Sequence, residues 1–476
     1  MLITQELSES LPKHLVLQGD EMTRPFECDA LSMYRQKPLA VVLPENIEHI
    51  KRVIELCKFH HTPIVTRGAG TGLAGGALPL ENSIVLGLSK LNTIISIDPV
   101  AQTAIVEPGV RNIAISEAAA EYDLYYAPDP SSQIACTIGG NVAENSGGVH
   151  CLKYGLTIHN VVAIKMLTID GEELVLHRDD DGLGLLALMN GSEGLLGVII
   201  EVTVKLTPKP AAVRLIMAGF EHVRDCANAI SNIIKAGIIP AGLEMMDQFA
   251  IGAAEDFAHA GYPRDAQALL LCELDGDAID VQQELDKVLL LLSGASIIKV
   301  ANNEQERLSL WQGRKSAFPA VGRLSPDYYC MDGTIPRRYL ADVLEKISHL
   351  SLHYGLRVAN VFHAGDGNLH PLILYDANVP NEQEKTEAFG TEILKLCVDV
   401  GGSITGEHGV GVEKLNAMCH QFTSAELGIF HQIKSVFDPQ ALLNPGKAVP
   451  TLHRCAELGN MHVHHGKLPH PDLERF

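Results

Sequence analysis

Five glycines crowd the stretch PIVTRGAGTGLAGGALP (residues 63–79): Gly68, Gly70, Gly72, Gly75 and Gly76. Glycine tolerates positive φ and lets a ligand approach the main chain closely. Successive exposed N–H groups in such a loop form a concave nest suited to an anion such as a diphosphate. Arg67 is expected to add positive charge at the mouth, with Ala69 and Thr71 completing the loop. Residues 70–75 also read literally as G-x-G-x-x-G, but a dinucleotide fold needs a helix to open at that point. Here Pro79 follows, and then the apolar strand pattern SIVLGL (residues 83–88), so the motif stands in the wrong context. A glycine-rich surface turn is the plain alternative.

A second run, TIGGNVAENSGG (residues 137–148), is preceded by YYAPDPSSQ (residues 125–133) and followed by LKYG (residues 152–155). Two glycine loops about 70 residues apart, each beside a strand pattern, point to one long ligand held from two sides. The pair resembles the flavin-binding domain of the vanillyl-alcohol-oxidase/p-cresol-methylhydroxylase (PCMH) superfamily. NGSEGLLGVIIEVTVKLTPKP (residues 190–210) resembles that domain's closing segment. The resemblance implies FAD as the ligand. It extends the expected cofactor contacts to Pro130, Ser131, Thr137, Gly139, Gly140, Asn141, Asn145, Gly147, Gly148, Tyr154, Gly155, Glu193, Ile199 and Asn444. Several members of the superfamily bond the flavin to a histidine in or near the first loop. Residues 67–76 contain no His, Cys or Tyr, and His60 and His61 are assigned to the preceding helix, so the FAD is expected to be non-covalent.

A length of 476 residues leaves room for two or more domains. The net charge of −21 argues against nucleic-acid and anionic-lipid partners, since nothing would replace counterions released from phosphate. The acidic N-terminus lacks an apolar signal core, and no apolar run is long enough to span a bilayer. The expected location is therefore cytoplasmic, peripheral to the inner membrane face only through partners. The ten cysteines include no C-x-x-C pair, which disfavours the simplest zinc, redox and iron–sulfur patterns; they are read as reduced and mostly buried.

The pattern LAVVLP, then ENIEHIKRVIELCKFHH, then TPIVTRG is strand–helix–strand, delivering the chain into the first glycine loop. IISIDP and TAIVEPG read as a hairpin, and Asp170-Gly171 as a turn between strands. After Pro208 and Pro210 the pattern restarts as strands alternating with helices on one face, an α+β cap. The fold class expected is α+β. A two-subdomain PCMH-type FAD-binding domain (residues 34–212) is followed by an α+β cap domain with an antiparallel sheet (residues 213–450), of the FAD-linked oxidase C-terminal type. Residues 1–33 form a lead-in and residues 451–476 a His-rich tail.

The cap carries two further motifs, FHAGDGNLH (residues 362–370) and GEHG (residues 406–409). Two histidines and a glutamate are a plausible ligand set for a divalent cation with open positions. Spacing alone leaves two satisfied histidines in a glycine-bent turn as the plain reading. The cap resembles the C-terminal domain of flavin-linked D-2-hydroxy-acid dehydrogenases. That resemblance implies His363, His370 and Glu407 as ligands of a divalent metal, zinc or manganese, and His408 as general base. In WQGRKSAFP, Arg314 matches the family arginine that holds the substrate carboxylate, a task suited to a guanidinium fork. The implied reaction is proton removal by His408 and hydride transfer from a 2-hydroxy acid to FAD.

Longer stretches, among them PDYYCMDGTIPRR and VANVFHAGDGNLHP, narrow the resemblance to the glycolate-oxidising branch of that family. Where 2-hydroxyglutarate relatives carry a threonine, a lysine and an asparagine, this chain has Phe318, Cys330 and Leu372, which favours a short substrate such as glycolate. D-lactate and D-2-hydroxyglutarate stay open. The branch also implies two partners, a second flavin-domain subunit and an iron–sulfur subunit carrying electrons towards quinone, with the tail as a docking element. A metal-dependent hydrolase without flavin and a non-catalytic flavoprotein scaffold are the readings from other classes.

Overall fold

The computed structural model describes residues 2–451; the His-rich tail reading falls outside the described residues. The helix Ile47–Phe59 opens on Asn46, whose side chain accepts from the His49 N–H, and buries Ile50, Val53, Ile54, Leu56 and Cys57. It ends before His60 and His61, and His61 takes φ 51°, so these two histidines lie in the turn beyond the helix rather than in it. The strand Ile64–Arg67 follows, parallel to Ile84–Gly87, which is parallel in turn to Ala40–Val42; Val16–Leu17 closes this four-stranded sheet. The residues between the first two strands form an irregular glycine loop with no helix, as its context requires.

A second, antiparallel sheet orders as Ile94–Asp98, Thr103–Val106, Val198–Lys205, Val161–Leu167 and Glu173–His177, so the hairpin and the Asp170-Gly171 turn stand as expected. The second glycine run differs from a plain loop. Its first half is the helix Ile138–Glu144, ended by Asn145 in the left-handed region at φ 54°.

The rest of the described chain builds one eight-stranded sheet. Its main path runs Ile297–Val300, Ala212–Phe220, Ala268–Gly276, Gly242–Asp247, Val358–His363, Asn368–Tyr375 and Asp327–Cys330, and Gly333–Thr334 also pairs with Asn368–Tyr375. Every pairing in it is antiparallel. Helices cover both faces, not one. Val223–Lys235, Ala278–Leu291, Leu340–Tyr354 and Glu382–Asp399 pack on the side of Leu270 and Cys272, while Gln248–Ala258, Glu304–Lys315 and Ala317–Val321 pack on the side of Leu269 and Leu271. Alternate residues of a strand face opposite ways, so a strand buried on both faces must be apolar throughout. That is why ALLLC is continuous. Near its end the chain returns to the first sheet, where Leu443 bridges Ile64.

Among the described residues eight cysteines are free, and all but Cys28 of these are buried. No helix among the described residues is long and apolar enough to cross a membrane.

Candidate active site

A cavity of about 580 Å³ runs between the glycine-rich segments and the large sheet. That is within the range of small-molecule and cofactor sites. Of the expected cofactor contacts, Gly68, Ala69, Gly70, Thr71, Gly72, Gly76, Pro130, Ser131, Thr137, Gly139, Gly140, Asn141, Glu193 and Ile199 line it. Arg314, His363, His370, Glu407 and His408 line it too. The lining leaves room for backbone approach. A Cβ on Gly68 would sit 2.4 Å from Thr137 Oγ1, and one on Gly76 2.8 Å from Glu144 Oε1. Thr137 Oγ1 and Glu144 Oε2 are buried without a hydrogen-bond partner, as polar atoms awaiting a ligand would be.

Eight expected contacts do not line the cavity, and each has another task. Arg67 is not at the mouth. It is buried, donates 2.7 Å to the Cys28 carbonyl, and lies so close beneath Gly70 that any Cβ there would strike it. Gly75 takes φ +76° against Val412, and Gly148 packs on the Asp129 main chain. Asn145 caps a neighbouring segment by accepting 2.9 Å from Ile158 N–H. Gly147 leaves space for Glu407, whose Oε2 would lie 2.5 Å from an added Cβ. Tyr154 donates 2.6 Å to Asp275, and Gly155 turns beside His159. Asn444 braces the floor, donating 2.9 Å to Gly76 O and 2.6 Å to Glu193 O.

The cap side of the cavity is assembled by strand register. Glu244 on Gly242–Asp247 stands opposite His363 on Val358–His363, and Asn368–Tyr375 adds His370 beside Val361. Glu407 and His408 come from the GEHG turn. His363 Nε2 and His370 Nε2 lie 3.4 and 3.0 Å from Glu407 Oε1, and donor atoms of all three residues fall within 4.8 Å of one another. The outer ring nitrogens are already engaged: His363 Nδ1 is 2.8 Å from Glu244 Oε1, and His370 Nδ1 is 3.2 Å from Met331 O. Such outer partners fix ring orientation in cation sites. The donor set therefore fits a divalent ion. Arg314, only 2% exposed, contacts Glu244 Oε2 through Nε at 2.9 Å and Nη2 at 2.7 Å; its Nη1 makes no hydrogen bond among the described residues.

Sequence reasoning missed Glu244, Asp332 and Glu144. Asp332 anchors the GEHG turn, accepting from the N–H groups of Gly406 (3.1 Å), Glu407 (3.1 Å) and His408 (3.0 Å) and from Lys414 Nζ (2.9 Å). Glu193 holds the far end of that turn, accepting at 2.7 Å from both Val410 and Gly411 N–H. The signal for Glu244 was a carboxylate flanked by apolar residues within the strand pattern GLEMM; Asp332 and Glu144 gave none.

Burial alone would raise the Glu244 and Glu407 carboxyls, yet both are held below the usual range, Glu244 by His363 and Arg314 and Glu407 by His363 and His370. Burial pushes His408 down to about 4, against the pull of Asp332, so its imidazole is neutral near pH 7.

Two family models match: "FAD binding domain" over residues 38–177 and "FAD linked oxidases, C-terminal domain" over residues 209–448. The glycolate oxidase subunit GlcD of Escherichia coli is 60% identical over all of this chain and 96% of its own length. The chain belongs to the FAD-linked oxidase family. The Bacillus subtilis glycolate oxidase subunit GlcD is 38% identical over 89% of the chain and 91% of its own length. A solved p-cresol methylhydroxylase shares the fold of this FAD-linked oxidase with a TM-score of 0.79 at 18% identity, covering 95% of this chain and 97% of that one. The PCMH-type architecture expected from the glycine runs is thus the one observed.

Proposed function

We propose that this FAD-linked oxidase oxidises glycolate to glyoxylate as the catalytic subunit of a larger complex. The observation that carries the reading is the end-to-end likeness to a glycolate oxidase subunit, joined to a cavity with flavin-loop residues on one side and Arg314, His363, His370, Glu407 and His408 on the other. FAD when bound would supply a hydride acceptor, and His363, His370 and Glu407 would hold a divalent cation, which would supply Lewis acidity toward a hydroxyl oxygen. The chain's own residues do the rest. Arg314 receives the carboxylate through its uncommitted Nη1 edge, with Glu244 fixing the guanidinium plane. His408 takes the hydroxyl proton, for which a neutral imidazole is required. Glu193 and Asp332 hold the turn that presents His408.

A short substrate is favoured because the aromatic rings of Phe318 and Tyr328 line the cavity beside Arg314 and Lys315, while Cys330 and Leu372 lie in the apolar core behind them. The FAD is non-covalent. Cys136 is the thiol in the lining, and burial raises its pKa, away from the thiolate a covalent bond needs. The electrons would be taken up by a second flavin-domain subunit and an iron–sulfur subunit, and the chain would sit at the cytoplasmic face of the membrane through those partners.

Anaerobic mixing of purified protein with glycolate, D-lactate or D-2-hydroxyglutarate tests the reading. Fastest bleaching of the flavin absorbance by glycolate is expected. A yellow, folded protein bleached by neither short acid would overturn it, and a colourless one would favour hydrolysis.

A further inference from the structure

We propose that a second, overlapping cation site, Cys330–His370–His408, lies in the wall of the pocket, with the sulfur set behind the lining histidines, that it is selective for soft divalent ions such as cadmium and zinc, and that filling it blocks the reaction. A donor atom of each residue lies within 4.8 Å of the other two. The three arrive from separate elements: Cys330 ends the strand Asp327–Cys330, His370 lies on Asn368–Tyr375, and His408 lies on the GEHG turn. Strand register sets Cys330 opposite Leu372, two positions from His370. The His370 and His408 rings stack at 4.9 Å and 13°.

The site has donor capacity to spare. His408 Nδ1 is buried with no hydrogen-bond partner among the described residues, and the Cys330 thiol donates to the Met331 carbonyl at 3.4 Å, leaving the sulfur lone pairs for a cation. Glu407 Oε1, 3.7 Å from His408 Nε2, is in reach as a further donor. Sulfur with two imidazoles suits zinc and cadmium, whereas the His363–His370–Glu407 set, with an oxygen in place of sulfur, also suits harder ions such as manganese. Capture of a cation releases the thiol proton to solvent, since the coordinating species is the thiolate.

Both triangles use His370, so one ion at a time occupies the pocket. An ion in the first triangle leaves His408 free, while an ion in the second consumes it. The inhibitory consequence rests on the proposed role of His408; the existence of the site does not.

The test is a cadmium titration of the FAD-loaded protein, wild type against Cys330→Ala and Cys330→Ser, following the near-ultraviolet thiolate-to-cadmium band and, separately, flavin bleaching by glycolate. The wild type should gain a band that both variants lack. The cadmium concentration that halves bleaching should rise at least about 10-fold in the variants, since losing a ligand should cost no less than losing the outer partner of one. X-ray absorption at cadmium on the wild-type holoenzyme needs no variant to fold, and one sulfur with two nitrogens is expected. Only oxygen and nitrogen ligands, or a band and inhibition unchanged by loss of Cys330, would overturn the site. A sulfur-ligated ion in a protein that glycolate never bleaches would support the site and overturn the glycolate reading.

Discussion

Glu244 binds His363 and Arg314 with opposite oxygens of one carboxylate: Oε1 lies 2.8 Å from His363 Nδ1 and Oε2 lies 2.7 Å from Arg314 Nη2. The proposed cation ligand and the proposed substrate anchor are therefore set by the same buried group. Glu244→Gln should perturb both at once. Leaving Arg314 without its counter-charge should cost about 3–5 kcal/mol, the range for a broken buried pair. Loss of the outer partner of His363 should weaken cation binding by about 10–100-fold. Thermal unfolding and a cation titration, run on the same preparation, check the two effects.

Replacing His408 with alanine should slow flavin reduction by about 10²–10⁴-fold, the typical share of a general base. FAD binding should survive, because the glycine segments that line the cavity come from another part of the fold. Stopped-flow reduction alongside FAD titration separates the two. A variant within a few-fold of wild type would show that the base lies elsewhere.

Chelation should yield a folded, yellow protein that glycolate no longer bleaches, with activity restored by added divalent ion. His363 and His370 sit on interior strands of an eight-stranded sheet, with Glu407 on the GEHG turn, and the apolar clusters of that sheet are complete without an ion. The melting temperature should move little. Global unfolding on chelation would make the site structural, as in small zinc modules.

His150 links the two halves of the chain, with Nδ1 2.9 Å from Asp129 and Nε2 3.1 Å from Glu273 on the large sheet. Burial would lower its pKa, but the two carboxylates overcome this and raise it to about 10. A raised histidine pKa gives stability that is full below the unfolded value near 6.5 and lost as pH climbs towards 10. Thermal stability should therefore fall between about pH 6.5 and 10 by more in wild type than in His150→Gln. Parallel slopes in the two proteins over that window would remove His150 from the linkage.

Acid precipitation should leave the yellow colour in the supernatant. Colour retained by the pellet would mean a covalent flavin, and Cys136 would be the residue to substitute first.

The glycine runs at residues 68–76 and 137–148, the HAGDGNLH and GEHG motifs, and Arg314 were legible from the sequence, because each is a local pattern whose chemistry lies in its own side chains or in their absence. Tertiary structure decided what those residues meet. Arg67 has the charge expected at a cavity mouth, but folding turns it inward to the Cys28 carbonyl. Tyr154 stands beside a glycine, yet its hydroxyl is taken by Asp275 from 121 positions away. Asp332 carries no local signature, because its importance comes from main-chain N–H groups distant in sequence, and the tasks of Glu244 and Glu193 likewise follow from strand register and long-range N–H groups. A sequence specifies which groups are available, while burial and long-range pairing, which act only once the sheet has closed, select the ones that face the cavity.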